Sequence, residues 1–221
     1  LLYGKAHPYG RGISGNGTKA SVAAITRADL TAFHSGWMRP ENAKIFAVGQ
    51  IEHKALLNKL EIRFGKWKPS GKAALAKNFD APVPASTGKI VVFNRANSPQ
   101  SIILAGEVLP FDGKADLLKL NAANEILGGG FLPRINMDLR ETKGWSYGTR
   151  NTFLRGENGA SYIVRAPVQT NQTGPAVNAI MEVMEDFVGQ KGVTPAELMR
   201  TVNGNIRELP GQFEQSSAIL G

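Results

Sequence analysis

From residue 25 onward the apolar positions recur at helical spacing, then as short continuous runs, then in strict alternation, and these changes of period outline the fold. "ITRADLTAFHSGWM" (25–38) predicts a helix, with Thr26 and Asp29 at capping-box spacing and Ile25, Leu30 and Phe33 as its apolar contacts. "NAKIFAVG" (42–49) is an apolar run closed by Gly49 and predicts a buried strand. "EHKALLNKLEIRFGKW" (52–67) returns to helical spacing through Leu56, Leu60 and Phe64.

The texture then changes. "KPSGKAALAKNFDAPVPAS" (68–86) has no sustained period and is rich in Pro, Ala, Lys and Ser, as a linker would be. Beyond it, "KIVVFNR" (89–95) and "QSIILAGEV" (100–108) predict strands, and "KADLLKLNAANEILGGG" (114–130) predicts a helix stopped by three glycines. "FLPRINMDLRETKG" (131–144) predicts a second helix, with Leu132, Ile135 and Leu139 on one face and Gly144 as its end. "WSYGTRNTFL" (145–154) and "ASYIVRAPV" (160–168) alternate as two paired strands. Two amphipathic helices follow, over 174–190 and 194–209, the last opened by Thr194-Pro195-x-Glu197. The order ββ-αα-ββ-αα predicts an α+β fold, a mainly antiparallel sheet covered by helices.

Composition narrows the function classes. The 221 residues hold no cysteine, which excludes disulfides, thiolate nucleophiles and Cys-ligated zinc. No run approaches the roughly 18 apolar residues of a membrane span. The chain opens without methionine and stops inside a helical pattern, so a fragment of a longer protein is expected. The net charge is +8, and all of it comes from residues 1–75, where 12 Lys/Arg face 4 Asp/Glu; residues 76–221 balance at 14 and 14. Those basic residues are scattered, without a dense run or interleaved aromatics, so no nucleic-acid partner is expected.

The chain has no H-E-x-x-H, H-x-x-E-H, G-x-S-x-G or phosphate-binding G-x-x-x-x-G-K-[ST] pattern. His7, His34 and His53 are far apart, none with a carboxylate at ligand spacing on a shared helix face, so this chain is expected to bind no metal. His34 and His53 read as ordinary helix residues and His7 as structural. Gly128-Gly129-Gly130 reads as a tight corner between helices rather than a phosphate loop.

One stretch stands apart. "LRETKGWSYG" (139–148) places Arg140 before a helix-stopping glycine and Tyr147 after it. Arg140 lies off the 132/135/139 face, on the side of Asn136 and Met137, while Trp145, Tyr147 and Thr149 would share one face of a strand. Two readings stand on this spacing. Either Arg140 is solvated and Tyr147 half-buried, or both point over one groove, where planar donors and a hydroxyl suit a peptide carbonyl.

"NSPQSIILAGEVLP" and "LNAANEILGGGFLPRINMDLRETKGWSYG", with "HPYGR" and "TRADLTAFHSGWMRPENAKIFAVGQI" before them, resemble the pitrilysin/insulinase family of zinc peptidases, including bacterial processing-peptidase-like members. The resemblance spans nearly the whole chain and is most specific over 97–148. The family pattern "SRL" after the glycines is here Pro133-Arg134-Ile135. The resemblance implies the metallohydrolase fold of the mitochondrial processing peptidase, built from repeated α+β half-units. Residues 1–70 would finish a first domain, 71–86 would link, and 87–221 would form the first half of a second, substrate-holding domain. The family's R-x-x-x-x-x-x-Y pair falls on Arg140 and Tyr147, which implies that Arg140 holds the substrate backbone and that Tyr147 both binds substrate and serves the catalysed step. The intact protein would be a zinc endopeptidase whose H-x-x-E-H site lies outside this chain; the alternative is a non-catalytic, peptide-binding partner subunit of a heteromeric peptidase. Its partners would be a peptide or unfolded polypeptide and the missing catalytic domain or subunit. Bacterial relatives suggest a periplasmic setting, with the cytoplasm as the other option. Since the two half-units come from different domains, 42–49 is expected to pair with the sheet built from 88–107 and 145–168, within one chain or in an exchanged homodimer.

Overall fold

The computed structural model describes residues 2–11, 15–86, 88–130 and 132–220. The chain divides into two compact units, one made of residues 1–10 and 81–207, the other of 11–80 and 208–221.

In the second of these, α1 (Lys19–Ala23), α2 (Arg27–Trp37) and α3 (His53–Phe64) are followed much later by α8 (Ser216–Leu220). Helix α2 starts where the sequence predicts. The Thr26 hydroxyl accepts from the Asp29 amide at 3.2 Å, and the Asp29 carboxylate accepts from the Thr26 amide at 2.8 Å. Residues 70–74, from the stretch expected as a linker, are tied to α2. Buried Arg39 donates to the carbonyls of Ser35, Ser70 and Gly71 at 3.2–3.4 Å, and the Ala74 amide donates to the Gly36 carbonyl at 3.1 Å. A methyl group on Gly36 would stand 3.1 Å from the Ala74 Cβ, so a side chain there would crowd this close approach.

The other unit is the α+β body. Strands β1 (Gln100–Leu109), β2 (Arg150–Gly156) and β3 (Gly159–Gln169) form an antiparallel sheet in the order β1-β3-β2. Register follows the alternation: Ile103 faces Ala166, and Asn151 faces Val164. Val164, Ala166 and Val168 project from the central strand onto one face of the sheet, where they meet Leu127, Ile135, Leu139, Ala176, Ala179 and Ile180 in one buried cluster. Those helical residues come from α4 (Leu118–Asn124, continued by a π-helical turn over Glu125–Gly129), α5 (Arg134–Asn136, continued by a π-helical turn over Met137–Thr142) and α6 (Thr173–Val188). Gly128 answers a spatial demand, since a Cβ there would lie 2.1 Å from the Asn151 side chain. Asn151 in turn donates to the Tyr162 hydroxyl at 2.7 Å, and that hydroxyl donates to Asn124 at 2.8 Å. Burial pushes the Tyr162 phenol up, so it stays protonated and donating.

Two expected strands do not form. Residues 42–49 and 88–95 lack strand pairing, and Phe46 and Phe93 are 70% and 83% exposed. The sheet's three strands all come from residues 100–169, so the expected pairing of 42–49 with it within one chain is corrected too. The reason is physical: an extended segment has no hydrogen bonds of its own and becomes a strand only against a neighbouring edge. An apolar run reports the capacity to pair and says nothing about the presence of a partner.

Helix α7 (Pro195–Glu208) is tied to the body by an ion pair near its start and by Asn205, which donates to Glu125 at 3.3 Å. Arg134 meets Glu197 through two parallel bonds of 2.8 and 2.6 Å, donates to the Gly192 carbonyl at 2.8 Å and also to that of Lys191, and lies over the Phe187 ring. Glu197 also accepts from the Thr194 amide, completing the capping box. The Arg134 guanidinium, above all, holds the Glu197 carboxyl down at about 2, against an ordinary 4.5. A depressed carboxylate contributes stability that is fully present above its unfolded value and lost as pH falls through its folded one. This unit should therefore lose on the order of 3 kcal/mol between about pH 4.5 and pH 2 from this group. Glu197→Gln should flatten that part of the urea-stability profile while remaining folded at neutral pH.

Candidate functional site

The helix bearing Arg140 ends in an unusual way. After Asn136 the α-helical turn widens to a π-helical one, so that the Lys143 amide bonds the Asp138 carbonyl, five residues back, at 3.0 Å. Such widened turns insert one extra residue into the helix surface and recur at functional positions. Gly144 then takes φ +65°, donates to the Arg140 carbonyl at 3.2 Å and turns the chain; the Trp145 amide closes on the Leu139 carbonyl at 2.9 Å. Gly144 thus stops the helix where the sequence predicts.

The strand expected over 145–154 begins only at Arg150, so Trp145–Thr149 is an irregular loop and not a pleated segment with one shared face. The physical cause lies in its hydrogen bonds, which go elsewhere. The Trp145 carbonyl accepts from the Gln169 amide at 2.9 Å, and Ser146 Oγ donates to the Pro167 carbonyl at 2.5 Å while accepting from the Gly148 amide at 3.1 Å. The Thr149 amide donates to Asn136 Oδ1 at 3.0 Å. Trp145 packs its ring against the core cluster, and Lys143, ion-paired with Asp138, lies over it at 5.6 Å.

On this frame stand the two residues singled out by sequence. Tyr147 is 88% exposed, and among the described residues its side chain has no hydrogen-bond or ring partner. The half-buried strand reading of Tyr147 is therefore corrected. Arg140 is half exposed, with its Nε 3.2 Å from a Glu141 oxygen. An exposed pair of neighbours is worth little, so the guanidinium can leave Glu141 for another acceptor at small cost. The two side chains make no hydrogen bond to each other. They flank one helix end and share its scaffold, each with hydrogen-bonding capacity turned to solvent. Planar donors and a phenol presented in this way suit a peptide backbone.

Sequence reasoning missed Asn136 and Ser146, which anchor the loop. The available signal was an asparagine inside a helix, where its side chain competes with the backbone unless it is used elsewhere.

Among the described residues no three His, Asp or Glu side chains gather to hold a metal. Buried His7 accepts from the Tyr9 amide at 3.1 Å and stacks on Tyr3, while His34 and His53 lie on α2 and α3. Among the described residues, then, no donor set fits a zinc ion. No helix among the described residues is long and apolar enough to cross a membrane.

The α+β body is thus a three-stranded antiparallel sheet covered by helices, with an exposed guanidinium and phenol at one helix end. The family model described as the peptidase M16 inactive domain matches residues 24–205, and the chain belongs to that family. An uncharacterized zinc protease from Mycobacterium leprae is 27% identical over 91% of this chain and 44% of its own length. One from Mycobacterium tuberculosis is 25% identical over 86% and 43%. The chain thus spans somewhat less than half the length of these curated relatives. Among solved structures, the peptidase M16 inactive domain from Pseudomonas fluorescens superposes over 100% of this chain and 50% of that one, at 24% identity and a TM-score of 0.77. A protease from Helicobacter pylori does so over 93% and 50%, at 19% identity and 0.82. These likenesses show the fold, an α+β metallopeptidase-like domain.

Proposed function

We propose that this chain supplies the substrate-holding domain of a zinc-dependent endopeptidase, with the zinc held by a part of the protein outside these residues. What carries the reading is the pairing of an exposed Tyr147, without a partner among the described residues, with an Arg140 free to exchange its acceptor at the same helix end. Arg140 would hold a carbonyl of the extended substrate backbone. The Tyr147 hydroxyl would donate to the oxygen of the bond being cut, most strongly as negative charge develops there. Naming of the relatives as zinc proteases supports the same class of chemistry. The zinc, when bound elsewhere, would supply an activated water; this chain's residues bind and orient the peptide.

The matched model is described as an inactive domain, which favours a second reading, a peptide-binding subunit working with a separate catalytic chain. Both place the peptide on the same residues. The test uses the complete protein with an internally quenched, unstructured peptide. Arg140→Ala should raise KM about tenfold with kcat changed less, and a zinc chelator should abolish turnover. Turnover seen only after a second chain is added would select the subunit reading. Arg140→Ala with wild-type KM would remove Arg140 from the site.

A further inference from the structure

Tyr147 sits in the middle of a loop that ought to be mobile. It is exposed, unpaired by any strand and flanked by Gly144 and Gly148. Yet the residues on each side of it are tied down, by contacts that do not involve the tyrosine at all. Ser146 Oγ bonds the Pro167 carbonyl at 2.5 Å, at the far end of β3, and accepts from the Gly148 amide at 3.1 Å. Asn136 Oδ1 takes the Thr149 amide at 3.0 Å.

Asn136 is the informative one. It is 8% exposed, inside a helix where asparagine is a poor former, and a leucine or methionine there would suit the helix better. It also lies four residues before Arg140, about one turn along the same helix side. A single side chain therefore links the loop carrying the phenol to the helix carrying the guanidinium. From this geometry we infer that Asn136 and Ser146 are positioning residues: they fix Tyr147 in register with Arg140 so that both meet one peptide backbone without ordering the loop on binding. The energetic logic is preorganisation. A loop already held in place loses little freedom when ligand arrives, and its hydroxyl stays where charge will develop. This rests on the peptide-holding reading of Tyr147 given above.

Two readouts on the complete protein test it, using a fluorescein-labelled, unstructured casein peptide as the probe. In Asn136→Ala and in Ser146→Ala, the Gly148 and Thr149 amides should exchange with solvent at least tenfold faster while core amides stay protected. Peptide affinity should fall several-fold in each, as it should in Tyr147→Ala. In a Tyr147→Ala background, neither change should weaken binding further, because both act through the tyrosine. Ser146→Ala removes only a half-buried hydroxyl and keeps the test available if Asn136→Ala fails to fold. Unchanged exchange at 148 and 149 would overturn the inference, as would faster exchange with wild-type affinity. A Tyr147→Ala protein that binds the peptide like wild type would sink the peptide-holding reading itself. Additive losses in the double variants would show a general structural role and contradict positioning through Tyr147.

Discussion

Tyr147→Phe in the complete protein should lower kcat by roughly 30- to 1000-fold, equivalent to about 2–4 kcal/mol of transition-state stabilisation, and should leave KM within a few-fold of wild type. The expected size comes from what the hydroxyl meets. In the free domain it is exposed and has no partner among the described residues, so its removal orphans nothing. The variant should fold and melt as wild type does, which makes the kinetic loss attributable to the substrate. A neutral carbonyl in the bound peptide gains only a modest bond from a phenol, whereas a developing oxyanion gains far more. The loss should therefore fall on kcat. Steady-state kinetics on the quenched peptide, together with unchanged urea unfolding, check it; wild-type kcat would return Tyr147 to an ordinary surface residue.

The second large effect is on stability. Leu139→Ala should cost about 3–4 kcal/mol, read as a lower urea midpoint at unchanged slope. Leu139 is fully buried among Ile135, Val164, Ala166 and Val168, between the helix of Arg140 and the central strand. Truncation there removes three carbons from a closely packed cluster that cannot collapse without moving the helix end. Leu104→Ala, on the outer sheet face at 68% exposure, should cost far less, within about 1 kcal/mol. Similar losses from both would mean that the buried cluster named here is not the core of this unit.

Sequence and structure agree where information is local. The Thr26–Asp29 and Thr194–Glu197 caps, the Gly144 stop and the alternation of β3 all depend on residues within a few positions of one another, and all appear in the fold. The buried helix residues Ile135 and Leu139 were legible for the same reason, since helical spacing fixes their common face, whereas Leu132, expected on that face, lies before the helix start and is exposed. Long-range pairing was not legible. "NAKIFAVG" and "KIVVFNR" are apolar enough for strands, but strand formation depends on an edge that no local pattern encodes. The loop at 145–149 failed differently. Its alternation suggested a strand, while Ser146 and Gly148 spend their hydrogen bonds on a turn and on the end of β3. Arg140 and Tyr147 were singled out by type, spacing and the family resemblance; their exposed setting and the Asn136 anchor needed the fold.

The most direct test of the account is where a bound peptide lies. An unstructured peptide carrying a central benzophenone photo-cross-linker, irradiated with the complete protein and mapped by mass spectrometry, reports that position without requiring turnover. The expected result is cross-linking concentrated within residues 136–149, competed by unlabelled peptide and reduced in the Arg140→Ala and Tyr147→Ala variants. Competable cross-links confined to other parts of the protein, and unaffected by those two changes, would contradict the assignment of this helix end as the peptide-holding site.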